Sequence, residues 1–133
     1  MATLTTTITE SVTLNGALRG NTNTLVTTDI LNVFERIVTC THSQTTTVAT
    51  FAAAPYTSPV AIDVDNVKYI RVSNLDLLGT IELAIVGTAT NYQVQLPPGT
   101  SHILARAAAG FLAEADTTPS FGTLENIASL QVR

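Results

Sequence analysis

The first fourteen residues alternate between hydroxyl-bearing and mostly apolar side chains. Side chains alternate between faces with a period of two only in an extended strand, and Thr favours strands because its Cβ is branched. The pattern therefore predicts a β-strand over residues 3–14, ended by a turn at Asn15-Gly16. One face of this strand is hydroxylated throughout, and it meets either water or another chain. The hydroxyl-bearing positions are Thr3, Thr5, Thr7, Thr9, Ser11 and Thr13.

Short apolar or alternating runs recur along the rest of the chain, separated by turn-forming residues. Strand and helix patterns do not alternate and no internal repeat is visible, which is typical of an all-β protein. The sequence predicts an antiparallel β-sandwich, jelly-roll-like, of about eight strands. We expect a single domain over residues 1–133, with residues 1–14 as an N-terminal edge strand or arm. The other predicted strands cover residues 33–41, 45–51, 67–73, 80–88, 91–96, 102–106 and 126–132.

Five segments between or beside these strands have patterns of their own. Residues 15–28 are rich in Gly and Asn and are predicted to form a loop. In residues 28–41 a helical spacing competes with a branched, hydroxyl-rich end, and we favour a short turn followed by a strand. Residues 52–66 contain two prolines and are predicted to cross between sheets. Residues 97–99 predict a type II turn, whereas residues 107–116 are Ala-rich and allow a helix that their central Gly disfavours.

The composition favours a component of an assembly. Charged residues make up 12% of the chain, against about 25% in typical globular proteins. About two dozen threonines stand in their place. A surface with so little charge suits a protein packed against neighbours better than one that stays free at high concentration. The alternative is a monomer with a Thr-rich β surface exposed to water.

Charge, cysteine content and the length of the apolar runs argue against several partners and locations. The net charge is −4 and the six basic residues are scattered, so we predict no nucleic-acid partner. Cys40 is the only cysteine, which excludes an intrachain disulfide. The N-terminus lacks the pattern of a signal peptide and no run approaches 18 apolar residues, so we predict neither secretion by such a signal nor a membrane span.

Catalytic chemistry has few candidate residues. His42 and His102 are the general-base candidates near neutral pH. Ser101 adjoins His102, but neighbours on a strand point to opposite faces, so the pair cannot act as nucleophile and base. Cys40 and His42 share one strand face and supply two ligands, whereas structural zinc needs four. We therefore predict that the chain is not an enzyme and has no cofactor.

Asp63 and Asp65 place two carboxylates on one side of an extended segment, which could begin a calcium site. The segment lacks the Gly and the downstream Glu of an EF-hand loop, and calcium takes six or more oxygen ligands. A second chain could add ligands at an interface, so the sequence leaves calcium binding here open. We predict no metal site within the single chain.

Aromatic residues bear on a sugar-binding function. The chain has no Trp, and carbohydrate-binding surfaces usually expose several aromatic rings. Tyr69, Tyr92, Phe34 and Phe51 are predicted to lie in the core rather than to form a stacking platform. This weakens a receptor-binding function without removing it.

Three segments resemble small β-sandwich virion proteins of tailed bacteriophages: residues 65–76 (DNVKYIRVSNLD), 81–87 (IELAIVG) and 92–104 (YQVQLPPGTSHIL). The shared pattern is an apolar strand ending in a Val-x-Asn-Leu-Asp turn, a second apolar strand and a hairpin around Pro-Gly. The N-terminal ITESVTLNG and NVFERIVTC segments are also similar to such sequences. Proteins of this kind serve as capsid decoration (cement) proteins, fibre heads and tail-tip parts. The resemblance brings no catalytic residues.

The resemblance implies a structural virion protein, with a capsid decoration protein as the leading expectation. Its expected partners are further copies of itself, with a homotrimer as the first guess, and other virion proteins such as the major capsid protein. The expected location is the virion, assembled in the host cytoplasm. The hydroxylated strand would add to a neighbour's sheet, with its hydroxyl groups giving specificity without charge. A fibre or tail-tip module that binds a receptor or glycan is the alternative.

Overall fold

The computed structural model describes residues 1–54, 61–108, 110–113 and 122–133. Over these residues the chain forms eleven strands and a single turn of 3-10 helix, Val64–Asn66, which confirms the predicted all-β class. The strands are mainly antiparallel, as predicted, and one pair is parallel. The chain divides into two compact units, Met1–Ile37 and Val38–Arg133.

The first unit is a single long β-hairpin. Thr9 lies opposite Thr22 in the half next to the chain terminus, and Val12 lies opposite Arg19 in the half next to the turn, so one register runs through both halves. Between the halves, the Glu10 amide donates a hydrogen bond of 2.9 Å to the opposite arm. The strands are β1 (Ala2–Thr9), paired with β4 (Thr22–Ile30), and β2 (Val12–Leu14), paired with β3 (Ala17–Arg19).

The turn of the hairpin lies at Asn15-Gly16, as predicted. Both residues have positive φ, 51° and 77°, which is the signature of the type I′ turn that matches the twist of paired strands. The predicted strand over residues 3–14 is therefore the first arm of the hairpin, interrupted at residues 10–11. The predicted loop over residues 15–28 is wrong, because the tight turn sends the chain back as the second arm. Asn15 and Gly16 form the turn, Gly20 and Asn21 lie at the junction between the two halves, and Asn23 lies within β4.

The strand predicted over residues 33–41 is also wrong. Residues 31–41 are all described and none of them belongs to a strand. Branched and hydroxyl-bearing residues make a segment suitable for a sheet, but a strand also needs a neighbouring edge with which to exchange hydrogen bonds. Local sequence does not reveal whether a partner strand is present, and among the described residues no strand pairs with this segment.

In the described part of the second unit, the strands form a five-stranded sheet and a two-stranded sheet. The larger sheet has the order β6-β5-β11-β8-β9, and β7 pairs with β10 in the smaller one. The strands are β5 (Thr46–Ala52), β6 (Ala61–Asp63), β7 (Ile70–Ser73), β8 (Ile81–Val86), β9 (Asn91–Leu96), β10 (Ser101–Leu104) and β11 (Ser129–Val132). Six of the seven have bounds within three residues of the predicted ones, and among these six the bounds of β9 match.

Strand β6 was not predicted. It pairs parallel to β5 in the same sheet, so the chain stays in the larger sheet as far as Asp63. The crossing between sheets predicted for residues 52–66 begins only after it, at the 3-10 turn Val64–Asn66 that leads toward β7 in the smaller sheet. The three residues of β6 are too few to show a period of two. Residues 55–60 lie outside the described residues.

A single apolar core holds the two sheets of the second unit together. Leu83 and Ile85 of β8 are fully buried at its centre. From the smaller sheet, Val72 and Leu104 pack against the same cluster, so the two sheets form opposed layers. The other buried members are Phe51, Val64, Leu96, Ala107, Phe111, Ile127, Leu130 and Val132.

Two further segments can be compared with their predictions. The Thr100 amide donates to the Pro97 carbonyl at 3.1 Å and Gly99 has a φ of 74°, which confirms the turn predicted from Pro-Pro-Gly.

The Ala-rich segment over residues 107–116 was predicted to allow a helix. Its described part, residues 107–108 and 110–113, contains no helix. Phe111 instead forms a bridge with Glu125. The end of that segment lies outside the described residues.

Candidate functional site

The six hydroxyl-bearing positions of the first arm are all exposed. Thr3, Thr5, Thr7, Thr9, Ser11 and Thr13 each lie at the surface of the hairpin. The opposite arm continues the hydroxylated face, because the Oγ1 atoms of Thr7 and Thr24 are 3.5 Å apart and those of Thr9 and Thr22 are 3.3 Å apart. The hairpin therefore presents a short hydroxyl ladder of two pairs built from both arms, whereas Val26 lies opposite Thr5 and Leu18 opposite Thr13.

The other face of the hairpin alternates apolar and polar side chains and carries the large apolar residues Ile8 and Leu25 of the two arms. In antiparallel strands, residues directly opposite each other project from the same face. Ile8 faces Asn23 and Thr6 faces Leu25, so these four side chains share the face opposite the hydroxyl ladder. Ile8 and Leu25 are about half exposed. We call this the apolar face of the hairpin, defined by Leu4, Ile8 and Leu25.

The Met1–Ile37 unit has no core. All of its residues are described and none is buried; the most covered are Leu4, Thr6, Thr27 and Ile30, which are half-buried. A two-stranded hairpin by itself is marginally stable at best in water. Large apolar side chains exposed on this unit are Ile8, Val12, Leu14, Leu18, Leu25, Val26, Leu31, Val33, Phe34 and Ile37.

A second exposed apolar patch lies on a loop of the other unit. We call residues 75–78 the leucine loop, because Leu75, Leu77 and Leu78 are exposed, the last at 92%. The sequence pattern showed this segment only as a turn. Exposed leucines grouped on one loop are a signal of an interaction surface that reading for strands alone passed over.

Asn74 fixes the start of the leucine loop. Its side chain is buried at 4% exposure, and its amide group donates to the Gly79 carbonyl at 2.7 Å and to the Leu96 carbonyl at 2.9 Å. Its side-chain oxygen accepts from the Asp76 amide at 3.0 Å. The leucines are therefore presented by a preorganised loop, which lowers the entropic cost of binding through it.

The Asp76 carboxylate supports the same loop from within. The backbone amides of Leu78, Gly79 and Leu77 hold the pKa of Asp76 below its ordinary value of 3.8, with Leu78 making the largest contribution. Its hydrogen bond from the Leu78 amide measures 2.9 Å. Beside the loop, Arg71 and Pro98 line an open groove.

Glu125 closes the turn between β8 and β9. Its carboxylate accepts hydrogen bonds from the Thr90 hydroxyl, from the Thr88 amide at 3.0 Å and from the Ala89 amide at 3.2 Å. It lies over Gly87, where a Cβ would come within 2.5 Å of the carboxylate carbon. These hydrogen bonds, that from Thr90 above all, hold the pKa of Glu125 below its ordinary value of 4.5. The role of this carboxylate is structural.

We expect Glu125→Gln to reduce the loss of stability in acid. Because the folded-state pKa is lowered, the unfolded chain binds more protons, and the stabilisation is present above pH 4.5 and lost as the pH falls below it. The substitution should lower the melting temperature at pH 7 and have a smaller effect at pH 3. Thermal unfolding followed by circular dichroism at both pH values measures this. The exposed Glu35→Gln is the control, and an equal effect of E125Q at both pH values would contradict the assignment.

The structure places the four candidate catalytic residues in different surroundings. His102 points toward the core and accepts or donates a hydrogen bond of 3.0 Å with the Tyr92 hydroxyl. Ser101, on the opposite face as predicted, lies 2.7 Å from the Ser73 hydroxyl. Cys40 packs against the core and His42 is exposed.

Of the two carboxylates considered for a calcium site, that of Asp63 accepts hydrogen bonds within its own segment. Asp63 accepts from the Asp65 amide at 3.0 Å and from the Asn66 side chain at 2.7 Å, and so caps the 3-10 turn. Within the described residues, no three His, Cys, Asp or Glu side chains are grouped so that they could hold a metal ion.

The aromatic residues are divided between core and surface. Phe51 is buried, and Tyr92 packs against the core with an edge contact to Phe111, as predicted. Phe34 is exposed, so its predicted core position is wrong. It lies in the segment for which a strand was wrongly predicted, and the misplacement follows from that error. Tyr69 is half-buried.

Comparisons with protein-family models, with curated proteins and with solved structures found no match for this chain. A search of the described residues for a helix long and apolar enough to cross a membrane found none.

Proposed function

We propose that this chain is a structural assembly protein that joins neighbouring subunits through its N-terminal hairpin. The observation that carries the proposal is the absence of any buried residue in Met1–Ile37, all of which is described. The unit nevertheless forms a hairpin whose arms are roughly 40 Å long, at about 3.3 Å per residue. Burial against another subunit would supply the stabilisation that the hairpin lacks by itself.

The distribution of charge and apolar surface supports the proposal. Strand β1 has no charged residue over its eight positions, and the exposed leucine loop adds a second apolar surface on the other unit. Contiguous exposed apolar surface is typical of interaction sites rather than of free monomers. Interfaces of permanent assemblies commonly bury more than about 2,000 Å², which an arm of this length could reach.

We further propose that the assembly is a phage virion and that the chain is a capsid decoration protein, as a homo-oligomer bound to the major capsid protein. This rests on the resemblance of residues 65–76, 81–87 and 92–104 to such proteins and on the low charge of the chain. Structural support of a capsid requires contacts between subunits and no catalytic group. An antibody against the chain should label the heads of intact particles in electron microscopy, whereas label on fibres or tail tips would favour the receptor-binding alternative.

Removal of the hairpin should convert the protein to a monomer. We expect the full chain to be an oligomer in light scattering behind a sizing column, over a dilution series, and a chain lacking residues 1–30 to have the mass of one subunit. The shortened chain should fold, because the core of the Val38–Arg133 unit contains no residue of the hairpin. Its circular dichroism and cooperative unfolding provide the control. A full chain that is monomeric at every concentration, or a shortened chain that remains oligomeric, would overturn the proposal.

A further inference from the structure

We infer that strand β1 of the hairpin pairs antiparallel with strand β9 of a second copy of this chain and thereby extends the five-stranded sheet. This inference rests on the proposed function and specifies the surface that receives the hairpin. It follows from the exposed sheet edges, from the direction of their backbone groups and from the side chains on either face.

The edge of β9 is open to strand addition. Among the described residues β9 is the last strand of the five-stranded sheet, and its sequence NYQVQL contains no charge and no proline. Charges, prolines, bulges and short length are the means by which proteins usually protect an edge. The other edges of the second unit are short: β6 has three residues, and β7 and β10 have four each. We therefore take β9 as the receiving edge.

The backbone of β9 points its free groups outward at odd-numbered residues. Glu82 and Arg133 exchange two backbone hydrogen bonds, of 2.9 and 3.0 Å, so the even-numbered residues of β8 bond to the β11 side. Successive residues of a strand alternate in direction, and the odd-numbered residues of β8 therefore bond to β9. Their partners are Tyr92, Val94 and Leu96. The amides and carbonyls of Asn91, Gln93 and Gln95 are left pointing away from the sheet.

The backbone of β1 has the same alternation. The hydrogen bond from the Glu10 amide to the Asn21 carbonyl shows that even-numbered residues of the first arm bond across the hairpin. Odd-numbered residues form the closer, non-hydrogen-bonded pairs, in agreement with the short distance between the Thr7 and Thr24 hydroxyl oxygens. The outward-pointing backbone groups of β1 therefore belong to Thr5, Thr7 and Thr9.

Antiparallel pairing of these two edges matches the side chains on both faces. Residues that exchange hydrogen bonds lie opposite each other and share a face, so the threonines of β1 would lie beside Gln93 and its exposed neighbours. With Thr7 opposite Gln93, Ile8 would lie opposite Tyr92 and Leu4 opposite Leu96, on the face that packs against the core. The apolar face of the hairpin would extend the apolar face of the sheet.

Parallel pairing would produce the opposite result. In a parallel pair, a residue whose groups point toward the partner strand lies opposite one whose groups point away. Thr7 would then lie opposite Tyr92 or Val94, and Ile8 opposite a polar residue such as Gln93. Strand β4 is the less suitable edge of the hairpin, because its pairing register shifts next to Asp29, a charged residue with a φ of 60°.

Cross-linking between two differently substituted chains tests this pairing. One chain carries Thr5→Cys, Thr7→Cys or Thr9→Cys, the other carries Gln93→Cys, and both carry Cys40→Ala. Hydrogen-bonded antiparallel pairs have Cα atoms about 5.5 Å apart, within the range of a disulfide. We expect one of the three odd positions to give at least about tenfold more mixed dimer than Thr6→Cys, whose side chain lies on the opposite face. Equal or greater yield from Thr6→Cys, or from Thr24→Cys on β4, would overturn the inference.

A pair of substitutions at Gln93 tests the backbone directly. Gln93→Pro removes an amide hydrogen that bonds to no strand of its own sheet, and proline is tolerated at such edge positions. We expect Q93P to lose the oligomer and Q93A, which keeps the amide, to retain it. A Q93P oligomer like that of the unsubstituted chain would overturn the inference; if Q93P does not fold, the cross-linking result decides.

The results also separate this inference from the proposed function. If the oligomer depends on residues 1–30 but the predicted cross-links do not form, the pairing of β1 with β9 is wrong and the proposed function stands. A full chain that is monomeric would overturn both the pairing and the proposed function.

Discussion

Gly20→Ala is expected to disrupt the hairpin at its middle and to abolish the oligomer. Gly20 has a φ of 140°, which only glycine adopts without strain, and a Cβ at this position would overlap the Glu10 carbonyl oxygen. Strain of this kind costs on the order of 1–3 kcal/mol before the overlap is counted. The hairpin has no core with which to offset this cost. Hydrogen exchange of the amides of residues 4–27 and the solution mass together measure the effect.

Gly16→Ala is the matched control for Gly20→Ala. Gly16 also has a positive φ, 77°, but a Cβ there meets no atom within 4 Å. It should therefore weaken the turn by about 1–2 kcal/mol without displacing the opposite arm. We expect G16A still to form the oligomer, but to need a higher protein concentration than the unsubstituted chain. If G20A retained both the oligomer and amide protection like that of G16A, the close approach of the arms at Gly20 would not be needed for assembly.

Leu83→Ala is expected to produce the largest loss of stability in the second unit. Leu83 is fully buried at the centre of the core, between the two sheets. Truncation of a buried leucine removes transfer free energy and leaves a cavity, which together cost about 2–5 kcal/mol. Urea unfolding of the chain lacking residues 1–30 measures the cost without a contribution from assembly.

Leu78→Ala is the control for Leu83→Ala. Leu78 is 92% exposed, so its truncation should change the free energy of unfolding by no more than about 0.5 kcal/mol. Similar losses for L78A and L83A would show that the core does not lie where the structure places it. A change in oligomer mass with L78A alone would instead identify the leucine loop as a contact between subunits.

The strands of the second unit were largely predictable because they have the features on which a period of two depends. In β9, polar residues at 91, 93 and 95 alternate with apolar residues that face the core, and the predicted and observed bounds coincide. β8 is apolar except for Glu82 and is bounded by turn residues. Strand β6 could not be predicted, because its three residues are too few to show a period of two.

The first arm and the turn of the hairpin were predictable from the sequence, and the return arm was not. The alternation of the first arm and the Asn15-Gly16 turn were both read from the sequence, and that turn with alternating flanks is the strongest short-range signal of a hairpin. The return arm was missed because Gly20 and the asparagines around it suggested a loop. They stand where the arms approach closely, and this approach is visible only when the two arms are placed side by side.

Four features could be read from the amino-acid sequence: the all-β class, the hydroxylated face of residues 3–14, the turns at Asn15-Gly16 and Pro97–Gly99, and the low charge. Each of these depends on neighbouring residues or on composition. The folded chain was needed to see which strands pair, that the N-terminal unit is without a core, and that the Asn74 side chain is held by the Leu96 carbonyl at the base of the leucine loop. These depend on contacts between residues far apart in the chain, whose free energy of pairing no local pattern encodes.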